Sequence, residues 1–413
     1  MKKIVTVCLL FAILAVFLPS LASCNDGDAV TLYVYNWGEY ISDGSEGSLD
    51  TNRAFEEWYE KTYGVKVKVN YSTYSSNEDM YAKLSSGAAD YDIVIPSDYM
   101  IARMIDEGLL RPLNMANIPN SQYINYEMMF GEGEVYYDPA KAYSVPYTYG
   151  TVGIIYDATQ VDAADVGTWG VMWNQKYTGN ILQFNNSRDA FATAMFYLGY
   201  NVNTDSEAEW RAALDKLVEQ KPIVQGYVMD EVYNKMENGS ALIAPYYAGD
   251  FFTMYEDNEN LAFAYPGEGT NVFVDAMCIP ASSKNPEIAE AYINFMLSPE
   301  AAIANAEYIC YASPNRLVYE DEDYIATMEE IHPDAMEILY GTEGLKLEFY
   351  ENLPEENLML LNSLWEELKI ESPISTVIIV MTCVILAVGA FLGSSWAIRR
   401  YRQRRIREAL WND

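Results

Sequence analysis

The sequence predicts an α/β protein built on mainly parallel sheets. Three observations carry that expectation. Short strand-like runs alternate with helical segments between residues 32 and 108, and a second set of the same kind follows an extended stretch containing Pro146 and Gly150. Half of the 413 residues are hydrophobic, which supplies core for two domains of ordinary size.

In chain order, Leu32-Tyr33-Val34-Tyr35 opens the domain as a strand rich in β-forming residues. Residues 51–62 read as a helix, with Asp50 or Thr51 as cap and Phe55, Trp58 and Tyr59 on one face. Val65-Lys66-Val67-Lys68-Val69 has the period of two expected of a strand. A helix over 78–84 ends at Ser85-Ser86-Gly87, and the apolar run 91–96 suits a strand covered on both faces. A helix over 100–107 stops at Gly108, and residues 142–156 read as extended chain passing between domains. The second set comprises strands at 180–184, 241–245 and 273–280, helices at 190–198 and 207–219, and a helix over 286–297 with proline in its first turn.

Ligands of open α/β sheets collect beyond the carboxyl ends of the strands. There the chain places Asn36-Trp37-Gly38-Glu39-Tyr40, Pro96-Ser97-Asp98-Tyr99, Asn185-Asn186-Ser187-Arg188-Asp189, Tyr246-Tyr247-Ala248-Gly249-Asp250 and Phe273-Val274-Asp275. Each segment offers an acid and most offer an aromatic ring. Asp98 and Asp189 also stand where a helix favours negative charge at its N-terminus, with no ligand required. Arg188 is expected to orient a neighbouring acid, and Trp37 and Phe273 have the alternative of serving as core.

Formal charge is −34, but residues 25–371 hold 18 basic and 58 acidic residues, a net of −40. Such a surface repels nucleic acid and anionic ligands and attracts cations. His332 is the single histidine, so a Ser-His-Asp triad, a Cys-His pair or a multi-histidine metal site is not expected, nor is a cofactor. Preceding Pro333, it is expected in extended geometry in an exposed loop. Within the globular part only Cys278 and Cys310 could pair, and two buried thiols are the equal alternative.

Both ends carry targeting signals. Lys2-Lys3 and the apolar run from Ile4 to Leu18 read as a secretory leader, ending in Leu21-Ala22-Ser23-Cys24. This resembles a bacterial lipobox, whose cysteine, here Cys24, is lipidated and becomes the mature N-terminus. Residues 25–30 form a tether. Residues 374–398 carry no charge and are long enough to cross a bilayer, and six arginines follow within the tail 399–413. By the positive-inside rule that tail is cytoplasmic, leaving residues 25–371 outside the cell membrane.

Several blocks resemble periplasmic polyamine-binding proteins of the spermidine/putrescine class. They are residues 35–40, 74–84 (Tyr-Ser-Ser-Asn-Glu-Asp-Met-Tyr-Ala-Lys-Leu), 92–97, 143–147, 275–280 and 311–315, in order and at family spacing. The resemblance implies a two-lobed periplasmic-binding-protein fold of type II, each lobe a mainly parallel sheet flanked by helices. The implied lobes are 31–145 with 273–318, and 146–272 with 319–370, joined by crossing strands and closing on ligand. It implies that Trp37, Tyr40, Tyr99, Tyr247, Phe273 and Tyr311 wall a methylene chain, that Glu39, Asp189, Asp250 and Asp275 meet ammonium groups, and that Ser97 bonds beside them. Gly38, Asp98, Asn186 and Tyr350 complete the expected ligand-binding set. Asn186 stands where spermidine binders usually have an acid, Phe273 where a tryptophan is usual, and Gly38 where a hydroxyl residue is usual. Tyr247 to Asp250 is similar to the Trp-Ala-Gly-Asp turn of the putrescine-preferring branch. These departures lean towards the diamine.

The implied partners are putrescine or spermidine, the permease subunits of an ABC transporter, and the membrane; a monomer without catalytic activity is expected. Three alternatives stand beside this: another solute on the same scaffold, such as ferric iron, a secreted glycosidase working with paired acids, and a sensor ectodomain.

Overall fold

The computed structural model describes residues 29–131 and 134–370, together with Leu386, Ser394 and Arg400. The leader with Cys24, the apolar run 374–398 and the basic tail 399–413 lie outside the described residues, those three single positions apart. Among the described residues no helix is long and apolar enough to cross a membrane.

The strands are β1 (Val30–Trp37), β2 (Val67–Tyr74), β3 (Ile93–Val94), β4 (Ser144–Asp157), β5 (Ile181–Phe184), β6 (Val224–Val228), β7 (Ile243–Tyr247), β8 (Leu261–Ala264), β9 (Thr270–Cys278) and β10 (Leu347–Glu348). They form one curled sheet in the order β2-β1-β3-β9-β4-β7-β5-β6, with β8 on β4 and β10 on β9. At one end β1 runs parallel to β2 and β3, and at the other β5 runs parallel to β6 and β7. Between them β4 and β9 lie antiparallel to each other, and both are buried along their whole length. The chain leaves the first parallel set through β4 and returns through β9, which pairs with β3. Helices cover these sets, as crossovers between parallel strands require.

Sequence periodicity finds the elements and misplaces some ends. β2 is expected at 65–69 but begins at Val67 and continues to Tyr74, because all eight residues of β1 offer it a register partner. The run 91–96 contributes two strand residues rather than six. Asp92 takes over part of the ladder there, its Oδ2 accepting the Tyr33 N–H at 3.0 Å. β7 is shifted from 241–245 to Ile243–Tyr247 by its pairing with Val152–Tyr156 of β4. Tyr246 and Tyr247 therefore end a strand instead of occupying a loop.

The helix Thr51–Tyr63 is capped by Asp50, whose side chain accepts from the Arg53 N–H, and Pro286 opens the helix Pro286–Met296. Cys278 and Cys310 are both buried and free. His332 has the extended backbone expected before proline but is half-buried. Its ring packs against Tyr255 and Phe251 with centroids 4.7 and 5.4 Å apart, since the helix Ala248–Asp257 turns its aromatic face to that corner.

Candidate functional site

The strand ends of both parallel sets converge on one cavity of about 100 Å³, where the chain passes between them. All fifteen residues proposed from sequence line it. The same walls hold seven carboxylates (Glu39, Glu78, Asp98, Asp189, Asp230, Asp250 and Asp275) against a single guanidinium, that of Arg188.

From the first set come the residues after β1 and β3. Trp37 ends β1 half-buried, its indole N–H donating to the Ile95 carbonyl at 3.0 Å, which leaves the ring to face the cavity. Gly38 approaches so closely that a Cβ there would sit 3.4 Å from the Asp230 carboxylate across the cleft. Glu39 stands exposed at the mouth with φ of 49°, a left-handed conformation that costs about 1 kcal/mol or more in a residue with a side chain. Tyr40 turns inward and is buried. Its hydroxyl meets Thr148 Oγ1 at 2.5 Å and Asp275 Oδ2 at 2.8 Å.

Ser97 is the N-cap of the helix Asp98–Asp106, and Asn77 Nδ2 donates to its Oγ at 3.0 Å and to Tyr99 Oη at 3.1 Å. Asp98 lines the cavity, but both of its oxygens accept backbone N–H groups, from Tyr99 at 2.7 Å and Val274 at 3.1 Å. It ties the helix start to β9 and has little left for a ligand. Burial pushes its carboxyl up to about 7.

From the second set, Asn186 caps the helix Ser187–Leu198. Its Oδ1 accepts from the Asp189 N–H at 2.8 Å, which caps the helix, and its side-chain Nδ2 donates to Asp189 Oδ2 at 2.5 Å. Arg188 departs from the expectation that it orients an acid. It bonds Asn203 Oδ1 at 2.8 Å and lies over the rings of Tyr350 (4.5 Å) and Tyr99 (5.4 Å). Asp250 sits in the first turn of the helix Ala248–Asp257 and accepts the Tyr233 hydroxyl at 2.7 Å. Gly249 permits this turn: a Cβ there would lie 2.2 Å from the Tyr311 ring.

The rings form an edge-to-face lattice. Tyr40 meets Tyr311 at 5.0 Å, Phe273 meets Tyr247 at 5.3 Å, and Tyr350 meets Tyr99 at 6.0 Å. On the crossing strand β9, Asp275 is 4% exposed and its Oδ1 has no partner among the described residues. Burial pushes its carboxyl up to about 6 and that of Asp250 up to about 7.

Glu78, Asp230, Tyr233, Tyr74 and Tyr246 also line the cavity and were not expected. A signal existed for some of them. Asp230 follows the end of β6, an element hidden by the polar Gln225-Gly226 in its middle, and Glu78 lies in a motif block but reads as a surface residue of a helix start. Glu78 is in fact covered: burial raises its carboxyl, and Tyr99 donates to its Oε1 at 3.0 Å.

Carboxylates buried short of donors, set among aromatic faces, make a site complementary to an organic cation with apolar stretches. The spermidine/putrescine-binding periplasmic protein of Salmonella typhimurium is 33% identical over 328 residues, covering 78% of this chain and 88% of its own length. The putrescine-binding periplasmic protein SpuD of Pseudomonas aeruginosa is 28% identical, covering 83% of this chain and 92% of that protein. Among solved structures, the PotD substrate-binding protein of a spermidine/putrescine ABC transporter from Streptococcus pneumoniae aligns with a TM-score of 0.63 at 33% identity, over 83% of this chain and 99% of that one. The Tp0655 (TpPotD) lipoprotein of Treponema pallidum aligns with a TM-score of 0.66 at 26% identity, over 83% of this chain and all of that one. Residues 53–331 match the family described as bacterial extracellular solute-binding protein, and the chain belongs to that family.

Proposed function

We propose that the chain captures a small aliphatic polyamine, putrescine or spermidine, between two closing lobes and hands it to the permease of an ABC transporter, without catalysing a reaction. The observation that carries this reading is the buried Asp275 carboxylate with an unpartnered oxygen, in a cavity walled by rings and six further acids. An ammonium group gives up its hydration on entering and recovers it as charge-assisted hydrogen bonds, while the methylenes lie on aromatic faces at about 0.5–2 kcal/mol per cation–ring contact. Relatives whose names specify spermidine or putrescine support the choice of cation.

The lobes are taken as 31–145 with 273–318 and 146–272 with 319–370, β4 and β9 being the crossing strands. Ligand bridging both lobes drives closure, and closure is what the permease reads. In this reading Cys24 carries a lipid after cleavage of the leader, 374–398 spans the membrane, and the tail 399–413 faces the cytoplasm. The binding domain then stands outside the cell as a monomer. The Treponema pallidum neighbour, titled a lipoprotein, supports the lipid anchor.

Calorimetric titration of the protein with putrescine, spermidine and ferric citrate tests the proposal. Saturable heat with at least one amine and none with ferric citrate is expected; a folded protein silent to both amines refutes it. Loss of fatty-acid labelling in Cys24→Ala tests the anchor.

A further inference from the structure

The acids of the cavity are unequally supplied with donors, and the inequality bears on how many ammonium groups the cleft accepts. Asp189 receives three hydrogen bonds on its carboxylate: Tyr247 Oη to Oδ2 at 2.6 Å, Asn186 Nδ2 to the same oxygen at 2.5 Å, and Tyr350 Oη to Oδ1 at 2.9 Å. A carboxylate offers about four acceptor sites, so roughly one remains. Close by lies a cation that belongs to the protein. Arg188, 5% exposed, spreads its guanidinium over the Tyr350 ring whose hydroxyl caps Asp189. The contrast is with Asp275, whose Oδ2 accepts from Tyr40 at 2.8 Å and whose Oδ1 has no partner among the described residues.

We propose that Tyr247 and Tyr350, by donating their hydroxyls to Asp189 beside the Arg188 guanidinium, close that end of the cleft to an ammonium group, so that the site selects a diamine over a triamine. The proposal rests on the amine-binding reading and narrows it. Asp189, expected from sequence to meet ligand charge, becomes a positioning residue that holds two ring walls in place. An ammonium arriving there displaces phenol donors and faces a buried cation, whereas one arriving at Asp275 meets an open acceptor. Two charged heads find acceptors at Asp275 and Asp250, and a third charge extended towards Asp189 meets an end already occupied. Specificity then arises from exclusion as much as from attraction.

The test is calorimetry with putrescine and spermidine on the wild-type chain, on Tyr350→Phe and on Tyr247→Phe/Tyr350→Phe, with circular dichroism to establish folding. The wild type is expected to bind putrescine at least about tenfold more tightly than spermidine, and the double variant to move that ratio towards spermidine by about tenfold, the equivalent of one hydrogen bond to a charged group. Tyr350→Phe alone moves it part of the way, which keeps the test open if the double variant does not fold. A wild type that binds spermidine as tightly as putrescine overturns the proposal, as does an unmoved ratio in folded variants. A folded wild type that binds neither amine sinks the amine-binding reading itself, a result distinct from either.

Discussion

Asp138 and Asp275 are buried alike, 2% and 4% exposed, yet the chain treats them in opposite ways. Asp138 accepts from the N–H groups of Ala142, Tyr143 and Ser144 and from the Ser144 hydroxyl, at 2.8–3.1 Å. Asp92 is supplied in the same manner by Tyr33, Ser283, Lys284 and Asn285. These two carboxylates fold loops onto strands, and the chain provides every donor they need. Asp275 and Asp250 receive far less, and burial holds both carboxyls above the usual range. A buried acid supplied by its own chain stabilises the fold; one left short of donors costs stability until a cation arrives. The difference separates scaffold from site with no reference to any relative.

The largest expected effect lies on the scaffold side. Asp138→Ala strands three N–H groups, and at about 1–3 kcal/mol for each buried orphan the unfolding free energy falls by about 3 kcal/mol or more. Chemical denaturation measures it. Amine affinity of the fraction that remains folded should be close to wild type; a large loss of affinity with little loss of stability would break the comparison.

Asp275→Asn is the mirror image. Affinity for the amine falls by about 2–4 kcal/mol, because the ammonium is buried without its counter-charge. Ligand-free stability at pH 8 stays level or rises, since a charge without adequate donors has been removed. Calorimetry and a melting curve on the same sample give both numbers, and a variant with wild-type affinity would remove Asp275 from the site.

Next in size is the pH dependence, whose sign follows from the raised carboxyls. Unfolded aspartate titrates near about 3.9. In the folded chain Asp275 titrates at about 6 and Asp250 at about 7. Between roughly pH 4 and 7 the native state therefore holds more protons than the unfolded state, so these groups make ligand-free stability fall as pH rises, levelling above the folded values. Ligand works in the other direction, because an ammonium favours the ionised acids. Affinity at pH 5 should be at least about tenfold weaker than at pH 8, with protons released on binding near neutrality. Titrations at one pH in two buffers of different ionisation heat detect that release, and its absence together with flat affinity would show these acids to be spectators.

How much of this was legible beforehand follows from which forces act locally. The strand-end rule found Glu39, Asp98, Asp189 and Asp250 because an apolar run and the acid after it are adjacent in sequence, whereas Asp275 lies inside β9 and not beyond its end. It could not rank them. Whether an acid is filled or bare depends on donors far along the chain: Val274 for Asp98, Tyr350 for Asp189, Tyr40 for Asp275. Strand ends failed for the same reason, β7 being set by β4 and β2 by β1. Asp230 and Tyr233 escaped notice because β6, half-buried and interrupted by Gly226, lacks the apolar run that flags a strand. Arg188 departs from its expected role because a charge pattern reveals neither its bond to Asn203 nor its cation–π contacts.

The smallest expected effect separates the cavity from the surface around it. The segment 25–371 carries a net charge of −40, and that field draws a dication towards the cleft before any contact forms. Once inside, the ammonium lies among buried acids that mobile ions do not reach. Raising salt from 0.05 to 0.5 M shortens the screening length from somewhat above about 10 Å to a few ångströms. Association should therefore slow by several-fold, while the dissociation rate stays within about a factor of two. Stopped-flow tyrosine and tryptophan fluorescence resolves the two rates, given the nine such residues that line the cavity. A dissociation rate that rises steeply with salt would place the bound amine on the acidic surface and leave the bare oxygen of Asp275 without a ligand.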